Sequence, residues 1–272
     1  MMKKHIISLL LLLIALSSCK KQVNNQENKP QEIDDKSEVT YSDNQFRRFT
    51  YFFQSQNSQV LDVFKTDGWK KCKEALVHGA IYDFNLYQKE TDFFIVIDTD
   101  PSYNSKKMYE ALNQVQEFST FKIKLEQTGV TFPKHDSGLE RIYKLDQKLT
   151  YTSQEGQLKT KIGEKKRFVW TLLLQKDPEM MAEYKRIHGI GQAWPEITAN
   201  MKSIGVKDME IYLFNEQAIL IMDTHSEFDL KEVGPKWQKL PRETEWQEYV
   251  AKYQRTTPGS SIREKWLDMV EL

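Results

Sequence analysis

Cysteine is almost missing from this 272-residue chain: Cys19 and Cys72 are the only two. A disulfide framework is thereby excluded if Cys19 is otherwise engaged, because one thiol cannot pair with itself. Net charge is missing as well, since Lys+Arg and Asp+Glu both total 39. That balance removes any general electrostatic reason to expect nucleic acid, whose binding depends on clustered Lys and Arg. Long apolar runs are absent too. The stretch Ile6–Leu16, interrupted only by Ser8, is too short to span a bilayer comfortably, which takes about 20 residues. Histidine is scarce, and none stands between His5 and His78.

What is present at the start reads as an address. Lys3 and Lys4 precede the apolar run, and Leu16-Ser17-Ser18-Cys19 follows it. A basic start, a short apolar core and small residues describe a secretory signal. The last four residues resemble a bacterial lipobox, so residues 1–18 are expected to be a lipoprotein signal peptide and Cys19 the lipidation site. Cleavage would remove Lys3 and Lys4 and no acid, leaving 37 basic against 39 acidic residues. Lys20 after Cys19 leans towards the outer membrane of a cell envelope. Residues 19–45 are rich in Lys, Gln, Asn, Asp and Ser without apolar periodicity and are expected to form a flexible tether.

The remainder repeats itself. Asp83–Tyr87 with Phe94–Asp100 matches Asp208–Tyr212 with Ile219–His225 at an offset of 125, and the same offset carries Trp69 onto Trp194 and Phe121 onto Trp246. Each copy reads as βαββαβ: residues 46–145 and 167–272, joined by a polar linker over 146–166. Strands are expected at 49–54, 81–87, 92–99 and 139–145, and again at 167–175, 207–214, 217–224 and 265–271. Helical spacing covers 59–77, 103–127, 178–203 and 237–254. The basic runs Lys159–Lys161 and Glu164–Arg167 are expected to be solvated. The runs 93–97 and 218–222 are apolar on both faces, as in strands buried on both sides. The expected fold is therefore α+β: two tandem ferredoxin-like βαββαβ domains forming an intrachain dimeric α+β barrel, a pseudo-dimer within one chain.

Polar chemistry gathers in the second copy. Tyr184 and His188 lie four apart and share a helix face. Gly189-Ile190-Gly191 then disturbs the helix, which restarts at Trp194-Pro195-Glu196. Trp194 and Trp246 offer faces for the apolar patches of a sugar ring, while His and Tyr suit hydroxyl groups and proton transfer near neutral pH. Asp223 and His225, at the end of a strand, are possible supporting groups. At the 125 offset the first copy sets Val63 at the position of His188 and Gln59 at that of Tyr184, although the copies differ by six residues between Arg48 and Arg167.

The residues Arg167-Phe168-Val169-Trp170, Ala182–His188, Trp194–Ile197, Ile211–Leu213, Trp246 and Trp266–Leu272 together resemble the L-rhamnose mutarotase family across essentially all of the second copy. The resemblance implies an isomerase that interconverts the α and β anomers of L-rhamnose or a similar deoxyhexose. It implies His188 as proton donor, Tyr184 as a substrate contact and Trp246 as the sugar-stacking ring. Mutarotation protonates the ring oxygen, deprotonates the anomeric hydroxyl and recloses the free aldehyde, so it needs neither metal nor redox cofactor. Gln247 stands where the family usually has a second Trp, and Met209 where it has a tyrosine. Those departures support an alternative, a non-catalytic carbohydrate-binding or interaction lipoprotein on the same scaffold. A third reading, from the wider α+β barrel class, makes His188 a haem ligand. The expected partners are a monosaccharide and a membrane through the lipid anchor.

Overall fold

A computed structural model describes residues 40–257 and 259–272. The signal segment, Cys19 and most of the proposed tether lie outside the described residues. Residues 41–272 form one compact unit. The first copy supplies β1 (Gln45–Gln54), α1 (Gln59–Phe64), α2 (Asp67–Leu76), β2 (Ile81–Lys89), β3 (Asp92–Thr99), α3 (Ser105–Asn113), α4 (Gln116–Gln127) and β4 (Glu140–Lys144), and the joint supplies β5 (Gln157–Thr160). The second supplies β6 (Lys166–Leu173), α5 (Pro178–His188), α6 (Pro195–Ser203), β7 (Val206–Phe214), β8 (Gln217–Thr224), α7 (Leu230–Trp237), α8 (Glu243–Ala251), α9 (Ile262–Lys265), β9 (Leu267–Asp268) and β10 (Val270–Glu271).

Three of the four helical patterns, 59–77, 103–127 and 178–203, are each broken once, while 237–254 holds α8, with α7 before it. Between α5 and α6, Gly191 takes a φ of 71° and Trp194 is extended, as its position before Pro195 favours. Asp177 caps α5 by accepting a hydrogen bond from the Met180 amide at 2.8 Å, with Pro178 in the first turn. Between α1 and α2, Thr66 is likewise extended.

Two five-stranded antiparallel sheets result, in the orders β10-β2-β3-β1-β5 and β4-β7-β8-β6-β9. Their edges correct the expectation that each copy closes its own sheet. Strand β4, from the first copy, pairs with β7 of the second, Glu140 opposite Leu213. The final strand expected at 265–271 is instead two short pieces, β9 on β6 and β10 on β2 of the first copy. Reciprocal edge exchange caps strand edges that each copy would otherwise leave open.

Alternation along the central strands separates three cores. Phe93, Ile95 and Ile97 of β3 pack under the first copy's helices, and Ala218, Leu220 and Met222 of β8 under the second's. The intervening Phe94, Val96, Ile219 and Ile221 join Phe52 and Tyr212 in a cluster between the two sheets. Side chains two apart point the same way along a strand, so one apolar run serves both faces.

The joint is no mere solvated connector. Lys159 on β5 is 4% exposed and pairs with Asp208 and, at 2.6 Å, with Glu210. Glu210 also receives Arg48 Nη1 at 2.7 Å and Arg141 Nη1 at 2.8 Å, and accepts the Tyr212 hydroxyl at 3.0 Å. Arg48 clamps Asp98 through both carboxylate oxygens, and Arg167 repeats that clamp on Asp223. Burial alone would raise the Glu210 carboxyl, but Lys159, Arg48 and Arg141 outweigh it and hold it well below the usual carboxylate range.

Removing the charge of Glu210 leaves Arg141 of β4 buried without an anion and takes one of their two anions from Arg48 of β1 and Lys159 of β5. Glu210→Gln is expected to lose about 3–5 kcal/mol of unfolding free energy, the cost of breaking a buried charge network. Lys73→Ala, at the half-exposed pair with Glu271, should lose less than about 1 kcal/mol. Urea unfolding of both variants measures the contrast, and equal small losses would show the network to be open to solvent.

Candidate functional site

Helix α5 delivers Tyr184 and His188 to one buried face, and α8 brings Trp246 opposite them. The His188 ring lies 4.3 Å from that of Tyr184 and 5.6 Å from that of Trp246. All three line one pocket with a cavity volume of about 60 Å³. That is below the roughly 300–1,000 Å³ common for small-molecule sites, so a monosaccharide enters it only if the walls move apart.

Trp194 does not line this pocket. It backs the wall instead, 5.3 Å from Trp246 and stacked on Tyr249 at 5.7 Å, with the Arg242 guanidinium carbon 3.9 Å from its ring centre. Asp223 and His225 are not brought to the pocket either. Asp223 is consumed by its two-pronged bond to Arg167 and lines a separate charged cavity with Arg48, Asp98 and Lys159. His225 is exposed. Strand ends in this fold meet the charge network rather than the helix-covered face of the sheet.

The protonation of His188 follows from its contacts. Nδ1 lies 2.8 Å from the Tyr184 carbonyl oxygen, which can only accept, so Nδ1 carries the proton and donates it. Burial pushes the imidazole down from its ordinary 6.5 to about 4, despite that bond, which opposes the shift. At neutral pH, Nε2 therefore presents a lone pair. In this state the ring is a proton acceptor, and it becomes the donor that the resemblance implied after taking a proton up. Burial likewise raises the Tyr184 phenol, with Gln254 drawing it partly back, so this hydroxyl stays protonated.

Several wall residues escaped the sequence reading. Tyr143 comes from β4, a strand of the first copy, and its ring lies 6.0 Å from His188. No local pattern announced it, because only strand exchange brings it there. Trp237, Gln254 and Glu243 also line the pocket. The Tyr143 hydroxyl, Trp237 Nε1 and Gln254 Oε1 are buried without a hydrogen-bond partner in the protein. Thr198 lies near the Tyr143 hydroxyl and lowers its pKa somewhat against burial, but is not in hydrogen-bonding geometry. Groups of this kind are costly unless a polar ligand or water meets them. Met209 and Gln247, the two departures from the family pattern, are both in the wall.

The first copy fills the equivalent space. Phe64 lies 5.4 Å from Phe121, as His188 lies 5.6 Å from Trp246, so Phe64 rather than Val63 stands at the histidine position. Val60, four residues earlier and buried, then replaces Tyr184 where Gln59 was expected. Phe84 and Phe118 pack at 6.3 Å, and Trp69 closes on Phe84 at 5.7 Å. Rings occupy the volume that the second copy leaves open.

The profile of the L-rhamnose mutarotase family matches residues 167–272, the part of the chain that builds most of this pocket. Residues 167–272 belong to that family. Over 100 residues the chain is 27% identical to an L-fucose mutarotase of Xanthomonas campestris pv. campestris, a match covering 37% of this chain and 80% of that protein. Over 108 residues it is 30% identical to a UPF0734 protein of Dictyostelium discoideum, covering 38% of this chain and 85% of that one. A crystal structure of an anthrone oxidase-like protein overlaps 84% of this chain and 92% of its own at 12% identity, with a TM-score of 0.41, too low to bear on fold or function. Among the described residues, no three or more His, Cys, Asp or Glu are grouped to hold a metal ion.

The depressed histidine makes stability pH-dependent with a definite sign. The unfolded chain binds this proton near pH 6.5 and the folded chain only near pH 4. Stability from neutral His188 is complete above 6.5 and lost as pH falls from 6.5 to 4. The full depression corresponds to about 3 kcal/mol. Urea midpoints from pH 7 to 4.5 should therefore fall more steeply for the wild type than for His188→Gln, and parallel curves would show that the folded protein already carries the proton.

Proposed function

We propose that the chain is a sugar mutarotase acting on L-rhamnose or a similar deoxyhexose, with one active site in the second copy. The observation that carries this reading is the convergence of His188, Tyr184 and Trp246 on one pocket, whose wall also includes Tyr143, Trp237 and Gln254. A largely apolar wall with a few polar side chains suits a ring with one apolar face and several hydroxyls. The L-fucose mutarotase relative acts, by its name, on another deoxyhexose, in keeping with that substrate class.

The chemistry begins at His188 Nε2, which takes the proton of the anomeric hydroxyl. The bond between C1 and the ring oxygen breaks as the ring oxygen is protonated, giving the open aldehyde. Rotation about C1–C2 and reclosure reverse both transfers and deliver the other anomer. Proton transfer by a positioned side chain contributes typically about 10²–10⁴-fold. The strand exchange, with Tyr143 entering the pocket from the first copy, supports reading the two copies as an intrachain counterpart of a dimeric α+β barrel, and the first copy as a structural partner without turnover. Replacement of the usual second tryptophan by Gln247 favours the alternative of a non-catalytic carbohydrate-binding protein.

Saturation-transfer NMR separates the two. The wild type should accelerate anomer exchange of L-rhamnose or L-fucose, and His188→Ala should lose about 100-fold or more of that acceleration. Tyr143→Phe should raise KM, since it removes only a hydroxyl contact. Saccharide affinity without exchange for any deoxyhexose tested would establish the binding reading instead.

We further propose lipid anchoring at Cys19 in the cell envelope. The support is the sequence Leu16–Cys19 alone. Among the described residues no helix is long and apolar enough to cross a membrane. Mass spectrometry of the protein from a bacterial host should find a lipidated Cys19 at the N-terminus, and an unprocessed chain still beginning at Met1 would sink the proposal.

A further inference from the structure

The pocket reading leaves one transfer unassigned: His188 starts without a proton on Nε2, so another group must protonate the ring oxygen. We propose that Glu243 is that second proton-transfer residue, an inference that rests on the mutarotase reading. Glu243 is 3% exposed and lines the pocket with His188. It opens α8 on the face that carries Trp246, Gln247 and Val250 at steps of three, four and seven, and all four line the pocket. Its carboxylate accepts hydrogen bonds from the amides of Gln247 at 3.0 Å and Asn200 at 3.3 Å. Among the described residues no cation lies within ion-pair distance of it, unlike Glu210 or Asp223. A buried carboxyl held only by neutral amides can exchange a proton without first breaking a salt bridge.

The backbone before it is committed to this placement. Arg242 has a φ of 59°, in the left-handed region that a non-glycine residue rarely occupies. Asn200 Nδ2 donates to the Pro241 carbonyl at 2.9 Å as well as to Glu243, pinning the turn that enters α8. Arg242 itself points elsewhere, over Trp194 and towards Glu196 and Glu245.

The comparison of the two copies strengthens the assignment. On α4, Phe118, Phe121 and Leu125 are buried at the spacing that Glu243, Trp246 and Val250 show on α8. Phe118 thus stands where Glu243 stands, and Phe64 where His188 stands. In the filled copy both positions are phenylalanine; in the open copy both are groups that move protons. They differ together, as the two ends of one transfer path would.

The step balances. Before the sugar binds, Glu243 takes up one proton from solvent; His188 Nε2 then accepts the proton of the anomeric hydroxyl, and the Glu243 carboxyl gives its proton to the ring oxygen as the C1–O bond breaks. The aldehyde then sits between an imidazolium and a carboxylate. After rotation, the ring-oxygen hydroxyl returns a proton to Glu243 as it attacks C1, and His188 returns its proton to the new anomeric oxygen.

Anomer exchange by the full chain tests this. Glu243→Gln keeps the size and an acceptor for Gln247 but cannot exchange a proton, and should lower kcat about 100-fold with KM within about threefold. Glu243→Ala, checked as folded by thermal melting and as sugar-binding by tryptophan fluorescence, should recover about tenfold or more of its lost rate in added formate. Retention of kcat within about threefold in Glu243→Gln, or no formate rescue of the folded alanine variant, would overturn the inference while leaving the mutarotase reading intact. Absence of exchange in the wild type itself would overturn both.

Discussion

One buried carboxylate holds the two sheets in register. Glu210, 1% exposed on the second copy's β7, gathers Arg48 from β1, Arg141 from β4 and Lys159 from β5. Those strands come from both sheets, so the sheets cannot separate without stranding charge in a low-dielectric interior. The anion must be met from several directions because no single cation could offset its desolvation. Its counterpart in the first copy at the 125 offset is Asn85, which only donates to Asp83, at 2.7 Å. The network is therefore asymmetric at its centre even though its flanking clamps, Arg48 on Asp98 and Arg167 on Asp223, repeat faithfully.

That constraint reaches the site through β4. The pairing of β4 with β7 shifts register between Arg141 and Tyr143, so on one short strand Arg141 is tied to Glu210 while Tyr143 stands in the wall beside His188. The anchor in the network thus fixes how far β4 runs along β7, and hence where a hydroxyl from the first copy enters the second copy's pocket. The first copy gives up its own cavity to phenylalanine and tryptophan rings, and what it contributes is an edge. Charge at one end of the sheets and a neutral, desolvated histidine under the helices are separate environments: Asp223 is tied to Arg167, while His188 bonds only the Tyr184 carbonyl.

Much of this was legible in the chain. The repeat announced the βαββαβ order because strand and helix periods survive substitution that preserves burial, and the runs 93–97 and 218–222 announced burial on both faces. The i, i+4 spacing of Tyr184 and His188, with Trp246 later in the chain, pointed to α5 and α8, which the fold brings to one pocket. Other features were misleading. Lys159 lies among polar neighbours and reads as solvated, yet its partners are Asp208 and Glu210, some fifty residues away. Trp194 reads as a sugar platform because its type suits one, but its position after the α5–α6 break turns it behind Trp246. Val63 was set opposite His188 by an offset that shifts by one residue at that helix.

The sequence by itself determined the elements and the polarity of their faces, since those depend on periodicity and on local turn chemistry at residues such as Gly191 and Pro195. It also determined that only the second copy holds a histidine on its first helix. Only the tertiary structure decided which copy each edge strand joins, because backbone pairing is indifferent to sequence and is chosen by the side chains that meet across it. It alone decided the protonation of His188, which follows from burial and from one carbonyl 2.8 Å away. It also gave Glu243 its place, since a carboxylate at a helix start looks like an ordinary first-turn charge until the fold buries it against the same pocket.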